Sequence, residues 1–143
     1  MKNFMNEALK EAQKAKQENE IPIGAVIVID GKIVARGHNK REKSQNALHH
    51  AEIIAIDKAC RKLKSWRLEN AIMYVTLEPC PMCAGAIANA RIKQVIYGAK
   101  DKSSQDNLCE KILSSTRLNH KVQTIYEENL SCSQILTDFF RKK

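Results

Sequence analysis

The chain has 143 residues, 43% of them apolar and 28% charged, a length and balance that suit one domain with a single core, expected over residues 1–143. No apolar run approaches the length of a membrane-spanning helix. The polar opening "MKNFMNEALKEAQKAKQENE" lacks the apolar core of a secretory signal, so a cytoplasmic protein with no membrane partner is expected. Five cysteines without an export signal argue against a disulfide framework and for metal binding or burial. A formal net charge of +8 is compatible with a polyanionic partner such as RNA, or with a solvated basic surface.

Phe4, Met5, Ala8, Leu9, Ala12 and Ala15 recur at helical spacing and predict an amphipathic first helix. "IPIG" breaks it. "AVIVID" and "GKIVARGHN" then read as two antiparallel strands joined at Asp30-Gly31, a hairpin turn signal. Residues 39–48 are polar and predict a loop. "HHAEIIAIDKAC" (49–60) reads as a helix that is apolar on most sides. A third strand is expected over 71–77, a helix rich in small residues over 81–91 and a fourth strand over 94–99. After a polar loop come a short helix at Leu108–Leu113, a strand over 121–126 and a terminal helix in "SCSQILTDFFRKK". Helices inserted between the later strands imply crossover connections and some parallel pairing, hence an α/β domain with a mixed sheet.

Two short motifs carry chemistry: His50-x-Glu52 and Pro79-Cys80-x-x-Cys83. Residues two apart do not share a helix face, so His50 and Glu52 converge only on a target beyond the helix's N-terminal end. Cys80 and Cys83 open another helix, with Pro81 suited to its first turn. Two helix N-termini would then face one metal, and their dipoles favour the thiolate that ligates. His50, Cys80 and Cys83 leave one tetrahedral zinc position open for water, which marks a catalytic site. Two thiolates weaken the ion as a Lewis acid, so a base is needed, and Glu52 stands where it would serve. The competing arrangement is a closed knuckle in which His49 or another cysteine is the fourth ligand.

The His-x-Glu and Pro-Cys-x-x-Cys pair resembles the signature of zinc nucleobase deaminases. Over nearly the whole chain, the stretches "IPIGAVIV", "GHN", "HAEIIAI", "YVTLEPCPMCAGAI", "LNHKV" and "LTDFFRKK" resemble the bacterial tRNA-specific adenosine deaminases. The resemblance implies a three-layer cytidine-deaminase-like fold, a five-stranded mixed sheet with helices on both faces. It implies one Zn2+ per subunit with a bound catalytic water, a homodimer, and a tRNA anticodon stem-loop as substrate. The reaction would be hydrolytic deamination of adenosine to inosine at the wobble position, with Glu52 moving the protons. A deaminase of a free base or nucleoside, of guanine or cytosine type, is the alternative. By the same resemblance Asn39 hydrogen-bonds the nucleoside and Ile27 lines the pocket; Asn39 also suits a turn. Glu78 either touches the base or caps the next helix. The family's glycine-rich stretch after the fourth strand is replaced by "KDKSSQDNLCEKIL", which touches RNA recognition at 100–108 and leaves the metal motifs unaffected.

Charge placement then nominates RNA contacts: Arg36, Lys40, Arg41 and Lys43 by the loop before the second helix, Lys100 and Lys102 after the fourth strand, and Arg141, Lys142 and Lys143 at the end. Phe139 and Phe140 divide between core and base stacking. Cys60 is expected in the core, Cys109 and Cys132 as buried or incidental thiols, and His120 in a structural hydrogen bond or against a phosphate.

Overall fold

The computed structural model describes residues 3–102 and 106–142. The first helix, α1 (Phe4–Gln17), starts where the Asn3 side chain accepts the Asn6 N–H at 3.1 Å. β1 (Gly24–Ile29) and β2 (Lys32–His38) form the expected antiparallel hairpin. Both turn residues, Asp30 and Gly31, have positive φ (52° and 75°), the geometry that lets a two-residue turn follow the strands' twist. A register shift between Ile27 and Val28 marks a bulge in β1.

α3 (Ala51–Leu63), β3 (Ile72–Val75), α4 (Pro81–Asn89), β4 (Gln94–Tyr97), α5 (Leu108–Leu113), β5 (Gln123–Tyr126) and α6 (Leu130–Arg141) complete the chain, after a single-turn helix α2 (Arg41–Ser44). The strands lie in the order β2-β1-β3-β4-β5. β1 is antiparallel to both of its neighbours, and β3, β4 and β5 run parallel through the α4 and α5 crossovers. The mixed sheet is therefore the expected one. One expectation fails: residues 39–48 are not all loop, because α2 forms within them. Lys40 offers that turn no side-chain acceptor. Glu20, 22 residues upstream of Glu42, supplies one instead, a long-range contact that no local pattern announces.

Strand alternation assigns the two faces. A Cβ on Gly24 would strike Ala8 and Ala12 of α1, whereas one on Gly37 would strike Ala51 and Ala55 of α3. Successive strand residues point to opposite faces, so α1 covers one side of the hairpin and α3 the other. On the α1 side, Met5, Ala8, Ile96, Ala99 and Cys132 of α6 form a small core. On the other, Ala25, Ile27, Ala55, Met73, Ile87 and Leu113 belong to the main core between the sheet and α3, α4 and α5. Helices on both faces of one sheet give the three layers expected. Among the described residues no helix is long and apolar enough to cross a membrane.

Candidate active site

The two chemical motifs meet at the N-terminal ends of α3 and α4. His50 is the N-cap of α3, with extended backbone (φ −78°, ψ 156°), and Cys80 is the N-cap of α4 (φ −73°, ψ 171°). Neither side chain caps its own helix, so both are free to turn beyond the helix end. Pro81 occupies the first turn of α4, where a missing N–H costs little. Cys83 follows on the buried side of α4.

His50 Nδ1 lies 3.6 Å from Cys80 Sγ and 3.6 Å from Cys83 Sγ. The three donor atoms all lie within 4.8 Å of one another. Zn–S bonds of about 2.3 Å and Zn–N bonds of about 2.0 Å at tetrahedral angles separate nitrogen from sulfur by about 3.5 Å. One imidazole and two sulfurs at that spacing fit a zinc-type dication. Among the described residues, no fourth His, Cys, Asp or Glu joins the group. His49 stays outside it, with its Nδ1 buried and unpartnered, so the closed knuckle is not formed.

Proton distribution around the sulfurs is uneven. Hydrogen bonds from Cys83 and then His50 pull the Cys80 thiol down to about 4. Cys83, which donates to Cys80 and is buried, is pushed up. The bond to Cys80 raises His50. The cluster thus resembles a proton-bridged thiol–thiolate pair, in which a cation would replace the bridging proton.

Glu52, in the first turn of α3, is 4% exposed. Burial pushes its carboxyl up to about 7, assisted by the negative charge of Cys80 and opposed by His50 and Cys83. Its carboxyl is hydrogen-bonded to Cys83 without belonging to the donor group. Glu78, left between two roles by sequence, ties the turn after β4 to the segment that follows β3: its carboxylate accepts the Asp101 N–H at 3.0 Å.

The remaining candidates are placed as follows. Asn39 is buried; its Oδ1 accepts the Arg41 N–H at 3.2 Å and its Nδ2 donates to the Ile21 carbonyl at 3.4 Å, so the turn role is realised. Ile27 is fully buried in the main core, paired with Ala35 and Met73. Arg36 points to the α1 side and pairs with Glu7 at 2.8 Å. Lys40 and Arg41 open α2. Lys102, Phe140 and Arg141 are exposed, Phe140 by 54% and edge-on to the buried Phe139 at 5.4 Å. Lys143 and residues 103–105 of the altered loop lie outside the described residues. His120 Nε2 bonds the Ile92 carbonyl at 2.7 Å. Cys109 and Cys132 are buried, and Cys60 is half-buried.

A cavity of about 390 Å3 is lined by Ile21, Ile23, Leu77, Lys100, Lys102 and Phe140 among others; His50, Glu52, Cys80, Cys83 and Asn39 are not among its lining residues. Sequence reading missed Ile21 and Leu77. Leu77 was read as the last residue of the third strand and Ile21 as part of the "IPIG" break, so no local signal marked either as lining.

A three-layer sheet with a His/Cys/Cys group and a buried Glu at two helix ends defines a deaminase, and the model of the MafB19-like deaminase family matches residues 1–143. The chain is 48% identical over 143 residues to the tRNA-specific adenosine deaminase of Bacillus subtilis, covering 97% of this chain and 88% of that one. It is 41% identical over 140 residues to the enzyme of the same name from Aquifex aeolicus, covering 97% and 93%. The chain belongs to the family of tRNA-specific adenosine deaminases. Among solved structures, a tRNA:A34 deaminase studied for A-to-I editing at the wobble position superposes with a TM-score of 0.85 at 39% identity, over 93% of this chain and 98% of that one. The guanine deaminase of Bacillus subtilis superposes with a TM-score of 0.68 at 32% identity, over 100% and 96%.

Proposed function

We propose that this chain, read as one deaminase domain, converts adenosine to inosine at the wobble position of a tRNA anticodon. The observation that carries the reading is the convergence of His50, Cys80 and Cys83 at zinc spacing beside a buried Glu52 that is not part of the donor group, in a chain with these relatives.

His50 Nδ1, Cys80 Sγ and Cys83 Sγ would hold one Zn2+. When bound, zinc supplies a Lewis acid that makes water nucleophilic at neutral pH. Glu52 would take one proton from the attacking water and deliver it to ring N1, then take the second from the new C6 hydroxyl and give it to the departing amine, leaving the C6 carbonyl. A C6–O bond forms, the C6–N6 bond breaks and ammonia leaves. A carboxyl raised by burial towards neutrality suits such a shuttle. Asn39 would bond the nucleoside at the lip of the site. The cavity between Ile21, Leu77 and Phe140, apolar with Lys100 and Lys102 in its lining, would suit a loop nucleotide splayed out of its stack. Lys40, Arg41, Lys102 and Arg141 are the candidate phosphate contacts, and Phe140 a stacking surface. Arg36 is engaged with Glu7 and is the weakest member of that set. Exposed Leu48, Leu63 and Trp66 favour a homodimer, and a tRNA substrate favours the cytoplasm.

Likeness to guanine deaminase sustains a second reading, turnover of a free base. Zinc-loaded protein offered an anticodon stem-loop with a wobble adenosine, and separately free adenosine, guanine and cytidine, decides between them. Inosine in the stem-loop and weak turnover of the free compounds are expected, with RNA affinity falling as salt rises. Strong preference for a free base would overturn the substrate assignment.

A further inference from the structure

One buried carboxylate near the site has no part in the chemistry above. Glu20, 2% exposed, lies between α1 and β1. Its two oxygens accept the backbone N–H groups of Glu42 at 3.1 Å and Lys43 at 2.7 Å, in the first turn of α2. Burying a carboxylate is costly unless it is fully hydrogen-bonded, and bonds to an ionised acceptor are the strong kind. The N-cap of α2, Lys40, makes no side-chain bond of its own. Glu20 therefore does the capping from 22 residues away.

The segment holding Glu20 is stitched to the same turn at further points. Asn39 donates its backbone N–H to Ile23 at 3.2 Å and its Nδ2 to the Ile21 carbonyl. Asn39 Oδ1 accepts from Arg41. Lys40 N–H bonds the carbonyl of His49 at 3.0 Å, the residue before His50. Residues 20–23 thus fix one end of a turn whose other end abuts the metal-ligand position.

We propose that Glu20 is a positioning residue: it touches no substrate, but holds the 39–43 turn so that Asn39 faces the nucleoside. This rests on the deaminase reading above, in which Asn39 binds substrate. Glu20→Gln keeps the volume and one acceptor but turns an amide NH2 towards the second N–H; Glu20→Ala removes both acceptors. At matched zinc content, KM for the stem-loop rises about tenfold in Glu20→Gln and further in Glu20→Ala, while kcat stays within about twofold. Amide hydrogen exchange at Glu42 and Lys43 accelerates in both variants, while the Ala84 amide, bonded to Cys80 within α4, is unchanged. Unchanged KM, or a loss borne by kcat alone, would overturn the positioning role. Unchanged protection at Glu42 and Lys43 would overturn the capping itself. If Glu20→Ala fails to fold, Glu20→Gln carries both measurements. Wild-type protein inactive on RNA would end the functional reading, and the exchange measurement would still decide the capping.

Discussion

His50 Nδ1 and Cys80 Sγ stand 3.6 Å apart although 30 residues separate them. Each is an N-cap residue in extended conformation, and that shared geometry is why they meet. A side chain at an N-cap leaves the helix cylinder and can reach past its end. Two helices packed on one sheet face, with their N-termini at the same edge, then bring a nitrogen and two sulfurs together.

If these atoms hold zinc, the metal is also a stabilising ligand. Zinc at about a hundred times its dissociation constant stabilises the folded state by about 2.7 kcal/mol. Chelator treatment should therefore lower the melting temperature by about 5–10 °C, and zinc should restore it. His50→Ala and Cys83→Ser should bind less than one zinc per chain by elemental analysis and should not respond to chelator. A melting temperature indifferent to chelator and zinc would contradict the metal assignment.

Gly37 sets how closely α3 approaches β2. A side chain there would strike the Ala51 carbonyl and come within 2.8 Å of the Ala55 nitrogen. Gly37→Ala should cost about 1–3 kcal/mol in denaturant unfolding, and should weaken zinc binding because Ala51 lies between His50 and Glu52. Gly85→Ala, on α4 with nothing within 4 Å of its Cβ, should be neutral or stabilise by up to about 1 kcal/mol. Equal effects at the two positions would refute this packing argument.

Acid should unfold the protein partly through Glu11. Burial pushes its carboxyl up, but bonds from His38 (3.3 Å) and Lys14 (2.7 Å) outweigh burial and hold it at about 2. A depressed carboxylate stabilises above its unfolded value, near 4.5, and that stabilisation is lost as pH falls towards 2. Wild-type stability should drop by about 1–2 kcal/mol more than that of Glu11→Gln between pH 5.5, about a unit above that window, and pH 2.5, near its lower end. Parallel pH profiles would show that Glu11 does not contribute.

What the sequence made legible follows from the range of each interaction. The hairpin at Asp30-Gly31 and both helix starts rest on contacts a few residues long, and local pattern predicts them. Motif spacing nominated His50, Cys80 and Cys83, but not which imidazole nitrogen faces the sulfurs. α2 escaped notice because its cap comes from Glu20, across a strand pair. Arg36 was nominated for RNA on charge alone. Period-two alternation sets it on the face opposite Gly37, against Glu7 of α1, a reading the pattern permitted. Ile21 and Leu77 became visible only when the ends of β1, β3 and β4 were brought to one edge.

The role of Glu52 is tested most directly by Glu52→Ala, assayed together for bound zinc and for inosine formed in a wobble-adenosine stem-loop. One zinc per chain should remain, with turnover reduced by about 10²–10⁴-fold. Full turnover in the variant would contradict the proton-shuttle role, and loss of zinc would show that Glu52 is a ligand rather than the free acid beside it.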